Sequence, residues 1–213
     1  MYRTYIFDFD YTLANSEQGI VMCFEMLFAD EGYGPIPRPD ICRTIGMTMY
    51  DAMSQLTGET DAKRINELTR LYKVRYSDKY MVPNTHLYPQ TIPLLKRLKQ
   101  QGNRCCIVST KTRSRINQTI EKEHLHSLID CVIGIEDVAH PKPAPDGIQE
   151  IQRRYHLQAD SILYIGDSLI DAQTARNAGV DFAAVTTGAT KAGEFTAYPH
   201  VQILHDLSEL VSY

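Results

Sequence analysis

The chain has 213 residues, of which 43% are hydrophobic, and this is enough to bury a large core in one domain or in one domain with a small insertion. Its net charge of −4 gives no electrostatic reason to expect sequence-independent binding to nucleic acid. Because no apolar run approaches the roughly 20 residues of a membrane span and the first residues lack the apolar segment of a secretory signal, we expect a cytoplasmic protein that does not bind membranes. We also expect no nucleic-acid partner, and a monomer or a weak homodimer.

Apolar, β-branched and aromatic runs recur along the chain and predict short strands. In chain order they are Tyr5–Phe9, Arg104–Val108, Cys131–Ile135, Ile162–Ile165, Phe182–Val185 and Val201–Leu204. From about Tyr88 onward, helical patterns such as Thr91–Gln101 and Pro145–Tyr155 separate most of these runs. Because the strands read as continuous apolar runs and alternate with helices, we predict an α/β fold with a Rossmann-like parallel sheet covered by helices on both faces.

The first predicted strand is followed by helices instead of a second strand. These helical patterns cover Gly19–Ala29, Met49–Leu56 and Ala62–Tyr76. The flanking stretches Leu13–Asn15 and Val82–Thr85 are turn-prone, as expected for a hinge. We therefore predict a core made of residues 1–15 and 82–213, and an inserted all-helical domain made of residues 16–81.

Aspartates follow two of the predicted strands. Asp8 and Asp10 are two residues apart, so in an extended chain they would project from the same face. Alone, this pair could be a polar strand end and a turn cap. However, Asp167 and Asp171 follow the strand Ile162–Ile165 in a similar way. Four carboxylates at the carboxyl ends of two strands would repel one another without a cation, and oxygen ligands in this number suit Mg²⁺.

Two further segments carry groups that can bind phosphate. Ser109 and Thr110 end the strand Arg104–Val108, where their hydroxyls and the N–H groups of the following helix could hold phosphate oxygens. Lys142 is bracketed by prolines, which stiffen the backbone and so place its ammonium group. Taken singly, the hydroxyls could also be an ordinary helix cap, and the lysine a solvated loop charge.

In this order, the four segments resemble the four motifs of the haloacid dehalogenase superfamily of phosphohydrolases. Asp8-Phe9-Asp10-Tyr11-Thr12 resembles the D-x-D-x-T motif, Ser109 the hydroxyl of the second motif, Lys142 the lysine of the third, and Gly166-Asp167-Ser168 with Asp171 the acidic fourth motif. The stretch from Lys142 to Asp146 is similar to the phosphoglycolate phosphatase-like branch, which carries a helical cap. The chain departs from the family at Tyr11, where glycine is usual, and at Asn15, where aspartate is frequent.

The resemblance implies a Mg²⁺-dependent phosphatase that hydrolyses a small phosphorylated metabolite, with phosphoglycolate as one candidate. Asp8 would attack phosphorus to give an aspartyl-phosphate, and Asp10 would protonate the leaving oxygen and then activate water. The implied ligands of Mg²⁺ are Asp8, Asp10 through its backbone carbonyl, and Asp167, with Asp171 supporting the site through water or through Lys142. The implied phosphate-binding residues are Ser109, Thr110 and Lys142, while Thr12 orders the loop beside the substrate.

Specificity is expected in the helical cap, because the phosphate site is the same for any monoester. We place Arg43, Thr44 and Met47 at the start of the second cap helix, near the mouth of the pocket. Arg43 is a candidate for binding an anionic leaving group such as glycolate. The basic stretch formed by Lys111, Arg113 and Arg115 is interpreted as a solvated helix face, because no aromatic platform for nucleic acid accompanies it.

Two other functions use similar residues. A receiver-like phospho-acceptor switch also combines aspartates, a hydroxyl and a lysine around Mg²⁺, but in receivers the lysine comes last, whereas here Lys142 precedes Asp167. A β-phosphoglucomutase would share the cap and all four motifs. The stretch Arg43–Met47 resembles the phosphatase branch more than the mutase, so we expect a hydrolase.

Overall fold

The structure, a computed structural model, describes residues 2–210 and contains one six-stranded sheet and one two-stranded ribbon. In chain order the strands are β1 (Thr4–Phe7), β2 (Ala14–Asn15), β3 (His86–Leu87), β4 (Arg104–Val108), β5 (Cys131–Ile133), β6 (Ile162–Gly166), β7 (Asp181–Val185) and β8 (Gln202–Leu204). The large sheet has the order β5-β4-β1-β6-β7-β8, and every neighbouring pair in it is parallel. The predicted parallel sheet is confirmed.

Within residues 2–210, ten α-helices lie on the sheet or between its first two strands in the chain. They are α1 (Glu17–Asp30), α2 (Arg38–Arg43), α3 (Met49–Thr57), α4 (Ala62–Leu71), α5 (Asp78–Tyr80), α6 (Thr91–Gln100), α7 (Arg113–Lys122), α8 (Asp146–Tyr155), α9 (Leu169–Ala178) and α10 (Ala192–Phe195). Helices α6 and α7 pack against one face of the sheet, and α8, α9 and α10 against the other. Tyr5 and Phe7 of β1 point to the first face and Ile6 to the second, as the alternation along a strand requires. Across residues 2–210, the helices lack the length and apolar character needed to cross a membrane.

Helices α1 to α5 enclose a hydrophobic cluster of their own, and we call residues 16–81 the cap. Buried side chains such as Phe24, Met53 and Leu68 form its interior. The ribbon of β2 and β3 pairs the two chain segments that connect the cap to the sheet. The predicted helix over Ala62–Tyr76 changes pitch within its length, because residues Tyr72–Ser77 form a π-helical turn.

Two local predictions are wrong. The first strand ends at Phe7 instead of Phe9, because the chain enters a turn in which the Phe9 carbonyl accepts hydrogen bonds from the N–H groups of Leu13 and Ala14. Tyr11, within this turn, has a left-handed φ of 59°. The short helix α2 was not predicted, and Arg43 is its last residue, so Arg43 does not begin a cap helix. The next helix, α3, starts at Met49, capped by the Thr48 hydroxyl.

Candidate active site

Lys142 lies at the centre of a buried polar cluster at the carboxyl edge of the sheet. Its ammonium is 2.9 Å from Asp8 Oδ1 and 2.6 Å from Asp171 Oδ1. It also donates a hydrogen bond of 3.1 Å to the Tyr164 hydroxyl, which in turn lies 2.8 Å from Asp171 Oδ1. Burial would lower the pKa of Lys142, but the charges of Asp171 and Asp8 raise it above its usual value. The ammonium is therefore charged and fixed in direction.

Asp171 anchors this cluster through the start of α9. Its second carboxylate oxygen accepts hydrogen bonds from the N–H and hydroxyl of Ser168, at 3.1 and 2.6 Å, in a reciprocal cap of the helix. Both oxygens of Asp171 are therefore engaged by protein donors. These contacts fit a residue that holds Lys142 in place, which is one of the supporting roles expected for Asp171.

Three carboxylates, from Asp8, Asp167 and Asp171, offer oxygens that lie within 4.8 Å of one another, and all three side chains are buried. Burial raises the pKa of Asp8 to about 6; Lys142 opposes this shift, and Asp171 and Asp10 add to it. Burial also raises the pKa of Asp167 well above its usual range, helped by the charges of Asp171 and Asp8. Since burial makes this concentration of negative charge unfavourable, the donor set fits a hard divalent cation.

Asp10 contacts a different set of partners, because β1 ends before the chain reaches this residue. Its carboxylate accepts hydrogen bonds from Lys111, at 2.9 and 3.1 Å, and from the Ser16 hydroxyl. The Lys111 side chain is 9% exposed. The interpretation of Lys111 as part of a solvated face is therefore wrong. The loop after β4 and the start of the cap together orient the Asp10 carboxylate.

Three hydroxyl residues were predicted for this site, and each makes a hydrogen bond with a different part of the molecule. Thr12 donates a hydrogen bond of 3.2 Å to Asp167 Oδ1, so it links the loop after β1 to the loop after β6. Ser109 is buried and accepts a hydrogen bond from the Lys111 N–H at 3.3 Å. Thr110 donates to the carbonyl of Gly46 at 3.0 Å, which ties the sheet to the cap.

Two glycines allow the backbone to approach the carboxylates closely. A Cβ atom added to Gly188 would overlap the carboxylate of Asp167, and one added to Gly166 would overlap Asp171. Both positions therefore require glycine because of space. Gly166 was part of the fourth motif, whereas Gly188 was not predicted. Gly188 follows shortly after the strand β7, and this position could have indicated that it lies near the site.

A cavity of about 400 Å³ opens from Asp10 between the cap and the sheet. Thr44 and Met47, both predicted to face the pocket, line it, together with Lys111 and Arg115. Arg43 lies apart: its side chain is 66% exposed and pairs with Asp40 at 2.6 Å. The structure therefore brings Arg43 to solvent and not to the cavity.

Three residues in or beside this site were missed or discounted from the sequence. Lys111 and Arg115 belong to the basic stretch. They follow Ser109 by two and six residues, and this closeness to a predicted site residue could have indicated them. Tyr164 lies within β6, three residues before Asp167, where a polar group in an apolar run was informative.

The chain is similar to known proteins along nearly its whole length. The family model described as haloacid dehalogenase-like hydrolase matches residues 5–185. A solved structure of a proposed haloacid dehalogenase-like hydrolase from Bacteroides fragilis is 44% identical, covers 99% of this chain and 100% of that chain, and superposes with a TM-score of 0.96. A structure from Lactobacillus delbrueckii subsp. bulgaricus, whose proposed activity is that of a phosphoglycolate phosphatase, is 25% identical, with 98% and 95% coverage and a TM-score of 0.87. The pyrophosphatase PpaX of Bacillus cereus (strain Q1) is 28% identical over 211 residues, which are 98% of this chain and 94% of that protein.

Proposed function

Since this chain belongs to the haloacid dehalogenase-like hydrolase family and is a phosphoric monoester hydrolase of that type, we propose that it works with Mg²⁺ and through an aspartyl-phosphate at Asp8. The observation that carries this proposal is the Asp8 carboxylate, which is buried at the end of β1, 2.9 Å from Lys142 and close to Asp167. A carboxylate in this position can be both kept ionised and aimed at a bound phosphoryl group.

The reaction takes place in two displacements at phosphorus. In the first, an Asp8 oxygen forms a bond to phosphorus, the bond from phosphorus to the ester oxygen breaks, and Asp10 gives its proton to the departing oxygen. In the second, Asp10 takes a proton from water as the water oxygen attacks phosphorus. The bond to Asp8 then breaks, and inorganic phosphate is released.

Lys142 and Ser109 act on the phosphoryl group during both displacements. The ammonium of Lys142 balances charge on the phosphoryl oxygens, and the same charge favours the ionised form of Asp8. Ser109 offers a hydroxyl at the end of β4, next to β1 in the sheet. Asp171 and Tyr164 hold Lys142 in its direction and so act as positioning residues.

The carboxylates of Asp8 and Asp167 would hold Mg²⁺, with the Asp10 backbone carbonyl as a further ligand. When bound, the ion neutralises negative charge around the phosphoryl group. Burial and the neighbouring carboxylates raise the pKa values of both groups. A bound cation would offset both effects, which supports this assignment.

For the substrate, we propose a small phosphorylated metabolite that is enclosed when the cap closes. Phosphoglycolate remains a candidate because of the relative named above, and inorganic pyrophosphate is a second compound to test because of the PpaX relative. A screen of both compounds within a panel of phosphorylated metabolites would rank them directly.

Hydrolysis of an aryl phosphate with Mg²⁺ tests the chemistry. We expect turnover that EDTA removes and that Asp8→Asn abolishes, while Asp160→Asn, on the surface near β6, leaves it unchanged. Undiminished turnover in Asp8→Asn would refute the mechanism. A phosphorylated form that persists for minutes, together with conversion of β-glucose 1-phosphate to glucose 6-phosphate, would show the mutase instead.

A further inference from the structure

The cavity between the cap and the sheet is larger than a phosphate site requires. Its volume of about 400 Å³ lies within the range of small-molecule sites, about 300–1,000 Å³. Its wall is built largely from apolar side chains, among them Ile20, Phe24, Met47, Met49 and Met81. Because water is held weakly against such walls, an apolar group is the favoured occupant.

The charged side chains of the cavity wall are not balanced. Within residues 2–210, the basic residues of the wall are Lys73, Lys111 and Arg115, and its one carboxylate is Asp10. Lys111 is paired with Asp10. The other basic residues of the wall are Lys73, which is exposed, and Arg115, which is 9% exposed and whose ion-pair partner, Asp78, lies outside the wall. An anion in the cavity would therefore meet a largely desolvated partner at Arg115.

Arg115 is held by two neighbours. Its Nη1 donates a hydrogen bond of 2.7 Å to Gln118, and its Nη2 pairs with Asp78, whose side chain is 48% exposed. A guanidinium carries five N–H donors, so these two contacts leave donors for a ligand. Burial lowers the pKa of Arg115, yet arginine keeps its charge at neutral pH. The cavity thus contains a fixed cation with unused hydrogen-bonding capacity.

Tyr72 provides a second, independent observation at the same cavity. Its side chain is 3% exposed, and its hydroxyl has no hydrogen-bond partner in the part of the chain that the structure describes. Burial raises the pKa of this hydroxyl, Cys23 and Asp10 raise it further, and Arg115 lowers it. Tyr72 and Arg115 line the same cavity. A buried hydroxyl without a partner is unfavourable, and a ligand acceptor beside Arg115 would satisfy it.

Building on the proposed function, we infer that the leaving group of the substrate is an alcohol or phenol with an apolar body and an anionic group of its own, which is bound by Arg115 and Tyr72. The anionic group is a carboxylate or a second phosphate, since both present oxygens to a guanidinium in the same way. The ester oxygen of the same leaving group lies toward Asp10, at the other end of the apolar body.

Three matched esters test this inference in the full chain with Mg²⁺. Two carry an anion, para-(carboxymethyl)phenyl phosphate and para-(phosphonomethyl)phenyl phosphate. The third, para-(carbamoylmethyl)phenyl phosphate, has nearly the same shape as the first but a neutral amide. We expect kcat/KM to be about tenfold or more higher for at least one anionic ester than for the amide. The better of the two anionic esters identifies carboxylate or phosphate as the recognised group.

Variants at the two residues then locate the preference. In Arg115→Met, the ratio of kcat/KM for the anionic ester to kcat/KM for the neutral ester is expected to fall to about one, and in Tyr72→Phe this ratio should fall several-fold. Asp78→Asn removes only the surface counter-charge of Arg115, so the ratio should stay unchanged in that variant. Thermal unfolding reports whether each variant is folded. If Arg115→Met does not fold, Arg115→Lys and the isosteric Tyr72→Phe decide the question.

Equal kcat/KM for the three esters in the unaltered protein would overturn the inference, as would an unchanged ratio in Arg115→Met and Tyr72→Phe. Failure to hydrolyse any ester would instead overturn the proposed function. Calorimetric binding of the free phenols, which needs no turnover, separates the two failures. Para-hydroxyphenylacetate should bind more tightly than its amide, and this difference should shrink in Tyr72→Phe and be lost in Arg115→Met.

Discussion

The Lys111 ammonium lies 2.9 Å from one carboxylate oxygen of Asp10 and 3.1 Å from the other. The two residues are 101 positions apart and come from the loops after β1 and β4. Both side chains are almost fully buried. This ion pair therefore sets the direction of the group that we propose as general acid and base.

Lys111→Met is expected to reduce kcat about tenfold or more and to destabilise the fold by about 3 kcal/mol, because it leaves a buried carboxylate with one fewer partner. Steady-state kinetics and urea unfolding measure the two effects. Lys99→Met is the matched control, since it breaks a partly exposed pair with Asp130 at 2.7 Å, worth about 1 kcal/mol or less. Similar, small losses in both variants would show that the buried pair does not position Asp10.

Gly188→Ala is expected to weaken activation by Mg²⁺ about tenfold or more, because the added Cβ would displace the Asp167 carboxylate. The Mg²⁺ concentration for half-maximal activity measures this loss. Gly193→Ala serves as the control, since a Cβ there meets open space. An unchanged Mg²⁺ dependence in Gly188→Ala would argue against Asp167 as a ligand.

Mg²⁺ is expected to stabilise the protein more at about pH 7.5 than at about pH 5. Because burial raises the pKa of Asp8 to about 6, the folded protein holds this proton more tightly than the unfolded chain does. Folding stability is therefore lost as the pH rises from about 4, the unfolded value, through the folded value. A bound cation offsets the buried charge, and its effect grows as Asp8 ionises.

The measurement is the rise in Tm on adding MgCl₂, compared with NaCl of equal ionic strength, across that pH range. Asp8→Asn removes one titrating carboxylate and should reduce the difference between the two pH values. A rise in Tm that is equal at both pH values, or larger at the lower one, would contradict the prediction.

Tyr11→Gly is expected to destabilise the protein by about 2 kcal/mol or more, although glycine suits the left-handed φ of 59° better. The tyrosine ring is 4% exposed within the hydrophobic cluster of the cap, and its hydroxyl donates a 2.6 Å hydrogen bond to Glu17. Tyr11→Phe keeps the ring and should cost less, about 1 kcal/mol. Urea unfolding would rank the two variants; a Tyr11→Gly protein as stable as the original would show that the ring contributes nothing.

The sequence by itself determined the strands, the parallel sheet and the residues at the ends of its strands. Apolar runs and their alternation with helices depend on neighbours along the chain, so these features are visible without a structure. Parallel strands bring their carboxyl ends to one edge, and this is why Asp8 and Asp167, predicted as one site with Lys142, lie together. Lys142 reaches Asp8 from the loop before α8. The parallel sheet is confirmed by the structure, and the roles of these residues remain predictions.

Only the tertiary structure decided which basic side chains face the cavity. Local patterns placed Arg43 at the pocket and Lys111 and Arg115 in solvent, whereas Arg43 is exposed and the other two are buried against Asp10 and Asp78. These pairings join residues that are distant in the chain, and they depend on how the cap packs on the sheet. Periodicity reports which face of a helix is apolar, but it does not report what that face meets.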